Sequence, residues 1–186
     1  NLVTNKLNAG TDYRLILDET FDLLNIDIPF DRLAVALIEE GDVVLKWAKS
    51  KTGNGELSSN YKAPMAGSSL EKVALTKRPR IIRDLCQYLS EHPQSDSTER
   101  AVNSGVRSSL TFPLIANGEV NGFVFFSSLS KFTYDERHID LYSNIADELS
   151  LLINFSELRD FFEKNKTANK MLRTTLHELR SPLAII

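Results

Sequence analysis

Residues 105–128 read GVRSSLTFPLIANGEVNGFVFFSS, and they carry the strongest structural signal in the chain. Asn117-Gly118 separates two runs that are rich in apolar residues. Asn and Gly tolerate the positive φ angles of a tight turn, so this dipeptide between apolar runs indicates a β-hairpin. The sequence therefore predicts strands over Arg107–Ile115 and Glu119–Ser128.

The sequence before this hairpin predicts a helix followed by another hairpin. Apolar residues recur at helical spacing from Thr11 to Ile26, and Asp12 favours the N-terminus of such a helix. Two apolar runs, Arg32–Glu39 and Val43–Ala48, flank Glu40-Gly41-Asp42. Apolar runs on either side of a short Gly-containing segment are typical of a β-hairpin.

The segment between the two hairpins is more polar. Residues 50–67 are rich in Gly, Ser and Asn and predict a long loop. Ser68-Ser69-Leu70-Glu71 has the spacing of a capping box, which predicts the start of a short helix. Arg80–Arg83 is expected to form a short strand. Residues 84–105 predict only a helical turn near Thr98–Asn103.

A long helix is predicted after the second hairpin. Thr133-Tyr134-Asp135-Glu136 again has capping-box spacing, and no Gly or Pro follows until Pro182. This predicts about 49 helical residues, or about 74 Å at 1.5 Å per residue. The apolar residues of Ile139–Ile153, including Ile139, Leu141, Ile145, Leu149 and Leu152, are expected to pack on the sheet.

A heptad seam follows in the same helix. From Leu151 onward, apolar residues and two Asn alternate at spacings of four and three, which is the pattern of a coiled coil. Asn at seam positions can fix register and parallel pairing. The pattern favours a parallel homodimer, with a monomeric amphipathic helix as the alternative. The seam comprises Leu151, Phe155, Leu158, Phe162, Asn165, Asn169, Leu172, Leu176 and Leu179.

Composition excludes several classes of protein. The 186 residues are 42% hydrophobic and 25% charged, with a net charge of −3, which argues against disorder and against a nucleic-acid-binding surface. The single cysteine, Cys86, excludes an intramolecular disulfide and a cysteine-based zinc cluster, and it fits a cytoplasmic location. No apolar run approaches the roughly 20 residues of a membrane span. The apolar stop at Ile186 is expected to mark a piece of a longer protein.

One motif near the C-terminus carries chemistry. His177-Glu178-Leu179-Arg180-Ser181-Pro182-Leu183 places an imidazole beside a carboxylate, one residue beyond the seam position Leu176. Such a pair suits proton removal and nucleophilic attack. Pro182 clashes with the carbonyl of Glu178 and is expected to bend the helix just after the histidine. The motif resembles the H-box of sensor histidine kinases.

This resemblance implies specific roles for three residues. His177 would be the phosphoacceptor, which takes a phosphoryl group from ATP and passes it to an aspartate of a response-regulator receiver domain. Glu178 would be the neighbouring acid/base, and Ser181 would hold the position that orients water for dephosphorylation. The ATP-binding domain, with its Mg, is not among these 186 residues, so this chain alone is expected to be inactive as a kinase.

The rest of the chain resembles a GAF domain. The resemblance rests on the order of elements and on Asp31–Val35, Thr76–Asp84, Gly105–Leu114 and Asn121–Val124. It implies an α+β fold with an antiparallel sheet of five or six strands, the first and last helices on one face, and a long C-terminal coiled-coil helix. The expected division is 1–10 as a linker or helix start, 11–154 as the GAF domain, 155–170 as the signalling helix, and 171–186 as a truncated phosphoacceptor helix.

A GAF domain can bind a small molecule or act only as a dimerising spacer. The resemblance implies a pocket on the sheet face opposite the first and last helices, roofed by 50–67 and 84–105. No metal and no cofactor is expected in the chain itself. A covalently attached bilin is not expected because Cys86-Gln87 and His92-Pro93 lack the Cys-His pair of bilin attachment. The basic run that includes Arg80 can attract an anion or form a solvated face. The expected polar lining of the pocket is Asp84, Arg107, Ser109 and Thr111.

Overall fold

The computed structural model describes residues 12–24, 29–52 and 61–180, with the side chains of 172–180 excepted. Five helices and six strands are formed in this part of the chain. In chain order they are α1 (Tyr13–Leu24), β1 (Arg32–Glu39), β2 (Asp42–Ser50), β3 (Lys62–Pro64), α2 (Ser69–Thr76), β4 (Arg80–Ile82), α3 (Leu85–Glu91), α4 (Asp96–Asn103), β5 (Ser108–Ala116), β6 (Glu119–Ser128) and α5 (Glu136–Arg180).

The six strands form one antiparallel sheet in the order β3-β2-β1-β6-β5-β4. Two-residue turns close both predicted hairpins. Asn117 and Gly118 have φ angles of 51° and 81°, and Glu40 and Gly41 have φ angles of 53° and 88°. Positive φ at both central positions matches the right-handed twist of the paired strands. The predicted α+β fold and both hairpins are therefore confirmed.

One face of the sheet packs against α1 and α5. Large side chains point to this face from the central strands, among them Leu33, Leu110 and Phe126. Phe126 contacts Tyr142 of α5 edge to face, with ring centroids 4.6 Å apart, and the Tyr142 hydroxyl donates to the carbonyl of Pro29 at 3.0 Å. The core of the protein thus lies between the sheet and the first and last helices.

The opposite face packs against the shorter helices and has small side chains in its middle. Ala34 and Ala36 of β1 lie on this face, with Val73 of α2 packed in the same cluster. Near the β4 edge, Ile82 packs with Leu85 at the start of α3. Small side chains in the middle of this face leave room between the sheet and the helices, which is where the cavity described below lies.

Helix α5 is anchored at the end of β5. The Ser150 hydroxyl and the Asn154 side-chain amide both donate to the carbonyl of Ile115, at 2.9 and 3.3 Å. The predicted long helix is confirmed, although the side chain of Leu141, which was expected to pack on the sheet, is 52% exposed. Its position on the helix faces solvent, whereas that of Tyr142 faces the core.

Both predicted capping boxes are wrong in detail. The Ser68 hydroxyl donates to the carbonyl of Met65 instead of capping α2. The Thr133 hydroxyl likewise donates to the carbonyl of Ser130, and α5 begins later, with the Asp135 carboxylate accepting from the amide of Arg137. Ser and Thr hydroxyls can bond to nearby backbone carbonyls, and here that local alternative is the one formed.

The polar segment 84–105 holds more structure than the sequence indicated. It forms two helices, α3 and α4, where only a turn near Thr98–Asn103 was expected. The Asp84 carboxylate begins α3 by accepting from the amides of Cys86 and Gln87, at 3.0 and 3.2 Å. Helices of seven and eight residues are too short to show a clear apolar period, so their pattern was missed.

We expect Gly122→Ala to destabilise the sheet. A Cβ at Gly122 would lie 2.5 Å from the carbonyl oxygen of Ala36 and 2.8 Å from Cδ2 of Leu37, so β1 and β6 would have to move apart. Overpacking of this kind should lower the free energy of unfolding by about 2 kcal/mol or more, measured by urea denaturation. The exposed Glu119→Ala in the same strand is the control, and equal stability of the two variants would contradict the close approach.

Candidate functional site

A cavity of about 170 Å³ lies between the sheet and helices α2 to α4. Its floor is formed by side chains of β1, β5 and β6, which include Ala34, Ala36, Ser109 and Ser127. It lies on the face opposite α1 and α5, as the resemblance to GAF domains implied. The lining comes from both predicted roof segments, since it includes Tyr61 to the one side and Thr98 to the other.

A polar clasp joins the two sides of the roof. The Tyr61 hydroxyl donates to the Asp96 carboxylate at 2.7 Å, and Nε of Arg100 donates to the same carboxylate at 2.8 Å. Burial and the bond to Asp96 raise the pKa of Tyr61 to about 12, so its hydroxyl keeps its proton. Arg100 first, and Tyr61 second, hold the pKa of Asp96 below its usual range. Asp96 is therefore a charged carboxylate whose Oδ2 accepts both bonds.

The first buried cation of the site is Arg32, at the start of β1. Its side chain lines the cavity, and the residue is only 6% exposed. Nη2 is enclosed and has no hydrogen-bond partner among the described residues. Burial lowers the pKa of Arg32 from its usual value, because removal from water disfavours the charged form. The neighbouring Asp31 forms no ion pair with it; Oδ2 of Asp31 accepts instead from the Ser128 hydroxyl and the Leu129 amide at 2.9 and 2.8 Å.

The second cation is Arg80, at the start of β4. It lines the same cavity and donates to the hydroxyls of Ser69 and Thr111, the latter at 3.4 Å. Its Nε is enclosed and, in the part of the chain that the structure describes, has no partner. Burial lowers the pKa of Arg80 as well. Of the two interpretations of the basic run, a solvated face does not hold for this residue.

The four predicted lining residues have different surroundings. Ser109 lies on the cavity floor, and Thr111 accepts a hydrogen bond from Arg80. Asp84 caps α3 and forms an ion pair with Lys131 at 2.8 Å, which holds the pKa of its carboxyl below the usual range. Arg107 donates to the backbone carbonyls of Val102 and Val106. A ligand-binding role for any of the four stays a prediction.

Cys86 and His92 lie in α3 and at its C-terminal end. The His92 ring stacks on Tyr88 with centroids 4.2 Å apart, and its Nδ1 lies 3.0 Å from the Tyr88 carbonyl oxygen.

Within residues 12–24, 29–52 and 61–180, no three His, Cys, Asp or Glu side chains are grouped so that they could hold a metal ion. No helix in these ranges is long and apolar enough to cross a membrane.

Two of the three H-box residues, His177 and Glu178, lie in the last turn of α5. The helix backbone continues through His177 and Glu178 to Arg180, but their side chains are outside the described part of the chain, as is Ser181 altogether. Their proposed roles therefore stay predictions.

Arg32 is the site residue that sequence reasoning missed. The sequence feature that could have indicated it is the spacing of two residues between Arg32, Ala34 and Ala36 at the start of an apolar strand. In a half-buried strand, residues two apart share a face, so this register put a cation on the same face as small apolar residues.

Comparison with known proteins supports the fold described above. The family model of the GAF domain matches residues 10–154. No curated protein matches the sequence.

Solved structures with a similar fold include the GAF domain of a two-component sensor histidine kinase from Bacillus halodurans, which is 17% identical, with 78% of this chain and 95% of that chain covered and a TM-score of 0.64. The phycocyanobilin-bound GAF domain of a cyanobacterial phytochrome is 16% identical, with 84% and 92% covered and a TM-score of 0.66. Type II free methionine-R-sulfoxide reductase from Thermoplasma acidophilum is 16% identical, with 76% and 91% covered and a TM-score of 0.59. These identities establish a shared fold alone, whereas the family model covers most of the chain: the protein belongs to the GAF domain family.

Proposed function

We propose that this protein is the sensory and dimerising region of a two-component sensor histidine kinase. Its cavity would bind a small molecule, and α5 would carry the resulting change toward phosphoacceptor His177. The observation that supports this most strongly is the H-box sequence from His177 to Leu183, which begins in the last turn of the helix that packs on the GAF sheet. The kinase would use ATP and Mg bound by a catalytic domain. The phosphoryl group would then pass from His177 to a receiver domain in the cytoplasm.

Strand β5 offers a direct connection between cavity and helix. Near its start, Ser109 lies on the cavity floor and Thr111 contacts Arg80. Near its end, the carbonyl of Ile115 accepts from Ser150 and Asn154 of α5. A ligand that shifts β5 would therefore also shift the anchor of the helix, which is the form of a two-state conformational coupling.

The exposed apolar face of α5 supports dimerisation. Leu151, Phe155, Leu158 and Phe162 lie on the predicted seam, and each is between 49% and 72% exposed. Apolar side chains in a heptad pattern are normally buried against a partner helix. On α1, which packs beside α5, Leu15 and Leu23 are exposed as well. A second copy of this chain is the partner that the heptad pattern favours.

A ligand-free GAF domain that only spaces a dimer is the alternative. The exposed seam on α5 favours the ligand-free spacer and the ligand-binding sensor equally, because dimerisation needs no ligand. Native mass spectrometry of the purified chain, with an absorption spectrum, separates the two. We expect a bound mass beyond that of the polypeptide, lost on denaturation. A colourless protein of polypeptide mass alone would favour the spacer.

We expect the phosphoryl group on His177 in the natural full-length protein. Incubation with γ-labelled ATP should give acid-labile, alkali-stable label, and His177→Gln should abolish it because the accepting nitrogen is lost. His92→Gln is the matched control, since the side chain of this histidine bonds to and stacks on Tyr88 in the GAF domain, and it should keep the label. Label that persists in His177→Gln would overturn the kinase assignment.

We expect the double variant Phe155→Gln, Leu158→Gln to dissociate the dimer. Removing two apolar side chains from the seam should raise the dimer Kd about tenfold or more, measured by analytical ultracentrifugation of the 186-residue chain. Lys164→Gln lies in the same exposed helix but off the seam, so it should leave the Kd unchanged. A monomeric parent chain, or equal Kd values for all three proteins, would contradict a seam-mediated dimer.

A further inference from the structure

Two arginines line one cavity without an ion pair to any described residue. Arg32 of β1 and Arg80 of β4 both line it, and each has an enclosed nitrogen that has no partner in the described chain. We propose that the cavity binds a small organic carboxylate, with its acidic group on these guanidinium groups. This inference rests on the ligand-binding half of the proposed function and names the chemical class of its ligand.

The strand register places the two arginines on the same face. Arg32 pairs with Ser127, which pairs with Ser109, so these three residues form one row across the sheet. Arg80 pairs with Thr111 in the adjacent row on that face. The two cations thus stand on either side of a floor that carries the hydroxyls of Ser109 and Ser127.

Among the described residues, no carboxylate forms an ion pair with either cation. The nearest acidic residue to Arg32 in sequence, Asp31, is engaged with Ser128 and Leu129. At the roof, Asp96 is engaged by Tyr61 and Arg100. An uncompensated buried charge is strongly unfavourable unless an anion or water reaches it. A ligand carboxylate would satisfy the guanidinium N–H donors, and it could do so in the bidentate geometry that arginine favours.

The remaining walls define the body of the ligand. Much of the lining is apolar, including Val43, Leu45, Leu70 and Phe125. The volume of about 170 Å³ is close to that of a cavity of about 150 Å³ that holds benzene. The site therefore suits an acid with a compact apolar body of about the size of one ring.

Benzoate and its neutral counterpart benzamide test the proposal, because they differ in charge but hardly in shape. Each is titrated into the 186-residue chain, with binding measured by calorimetry and by the shift in melting temperature. We expect benzoate to bind about tenfold or more tightly than benzamide, since a hydrogen bond to a charged group is stronger than one to a neutral group. Inorganic phosphate, which has the charge but no apolar body, should bind more weakly than benzoate.

Matched variants assign the preference to the two arginines. Arg32→Gln and Arg80→Gln should each remove most of the preference for benzoate over benzamide. Arg78→Gln changes an exposed arginine two residues from Arg80 and should leave the preference intact. Arg32→Gln should melt at the same or a higher temperature than the parent in the absence of ligand, because it removes a buried charge. This measurement shows that the variant is folded.

The outcomes separate the two proposals. Equal affinity for benzoate and benzamide would overturn the carboxylate inference while leaving a ligand-binding cavity. Persistence of the preference in both Arg32→Gln and Arg80→Gln would also overturn it. Tighter binding of phosphate than of benzoate would identify an inorganic-anion site instead. Binding of none of the three probes would overturn the inference together with ligand sensing, and the kinase assignment would then rest on the His177 experiment alone.

Discussion

Phe126 holds the sheet and the last helix together. Its ring meets those of Phe30, Phe112 and Tyr142 edge to face, and the side chain is completely buried. Aromatic pairs in this geometry add to the free energy gained from burial. The opposite face of the sheet carries the small side chains of Ala34, Ala36, Ser109 and Ser127 beside the larger Phe123 and Phe125. The cavity lies over these small residues.

The two arginines work against the stability of the empty fold. A purely apolar cavity with the same walls would avoid the desolvation of two guanidinium groups. Their presence is understandable if the state that matters is the occupied one, in which a ligand supplies the missing negative charge. Binding and folding would then be linked, since a molecule that binds only the native state also stabilises it. The proposed dimer seam on α5 is independent of this requirement.

Sequence reasoning succeeded where the signal was local. Asn117-Gly118 predicted a turn from the φ angles that the two residues tolerate, and the absence of Gly and Pro predicted α5. It failed at Ser68 and Thr133, because a hydroxyl can bond to a preceding carbonyl as readily as it caps a helix. Sequence reasoning could not foresee that Arg32 and Arg80 line the same cavity. That arrangement depends on strands β1 and β4, which are separated in the sheet by β6 and β5.

The bonds from Ser150 and Asn154 to the carbonyl of Ile115 anchor α5 at the end of β5, so a tilt of the helix would pivot about this point. Beyond Ser156, the last buried residue of the helix for which burial is described, α5 runs to Arg180. This part of the helix is about 36 Å long at 1.5 Å per residue, so a tilt of α5 by about 5° at the anchor would displace its far end by about 3 Å. In the proposed signalling role, the helix would act as a lever arm that magnifies a small repacking of the sheet. A ligand no larger than one ring would then need to tilt the helix by only a few degrees to move its far end by a distance comparable to the ligand's own radius.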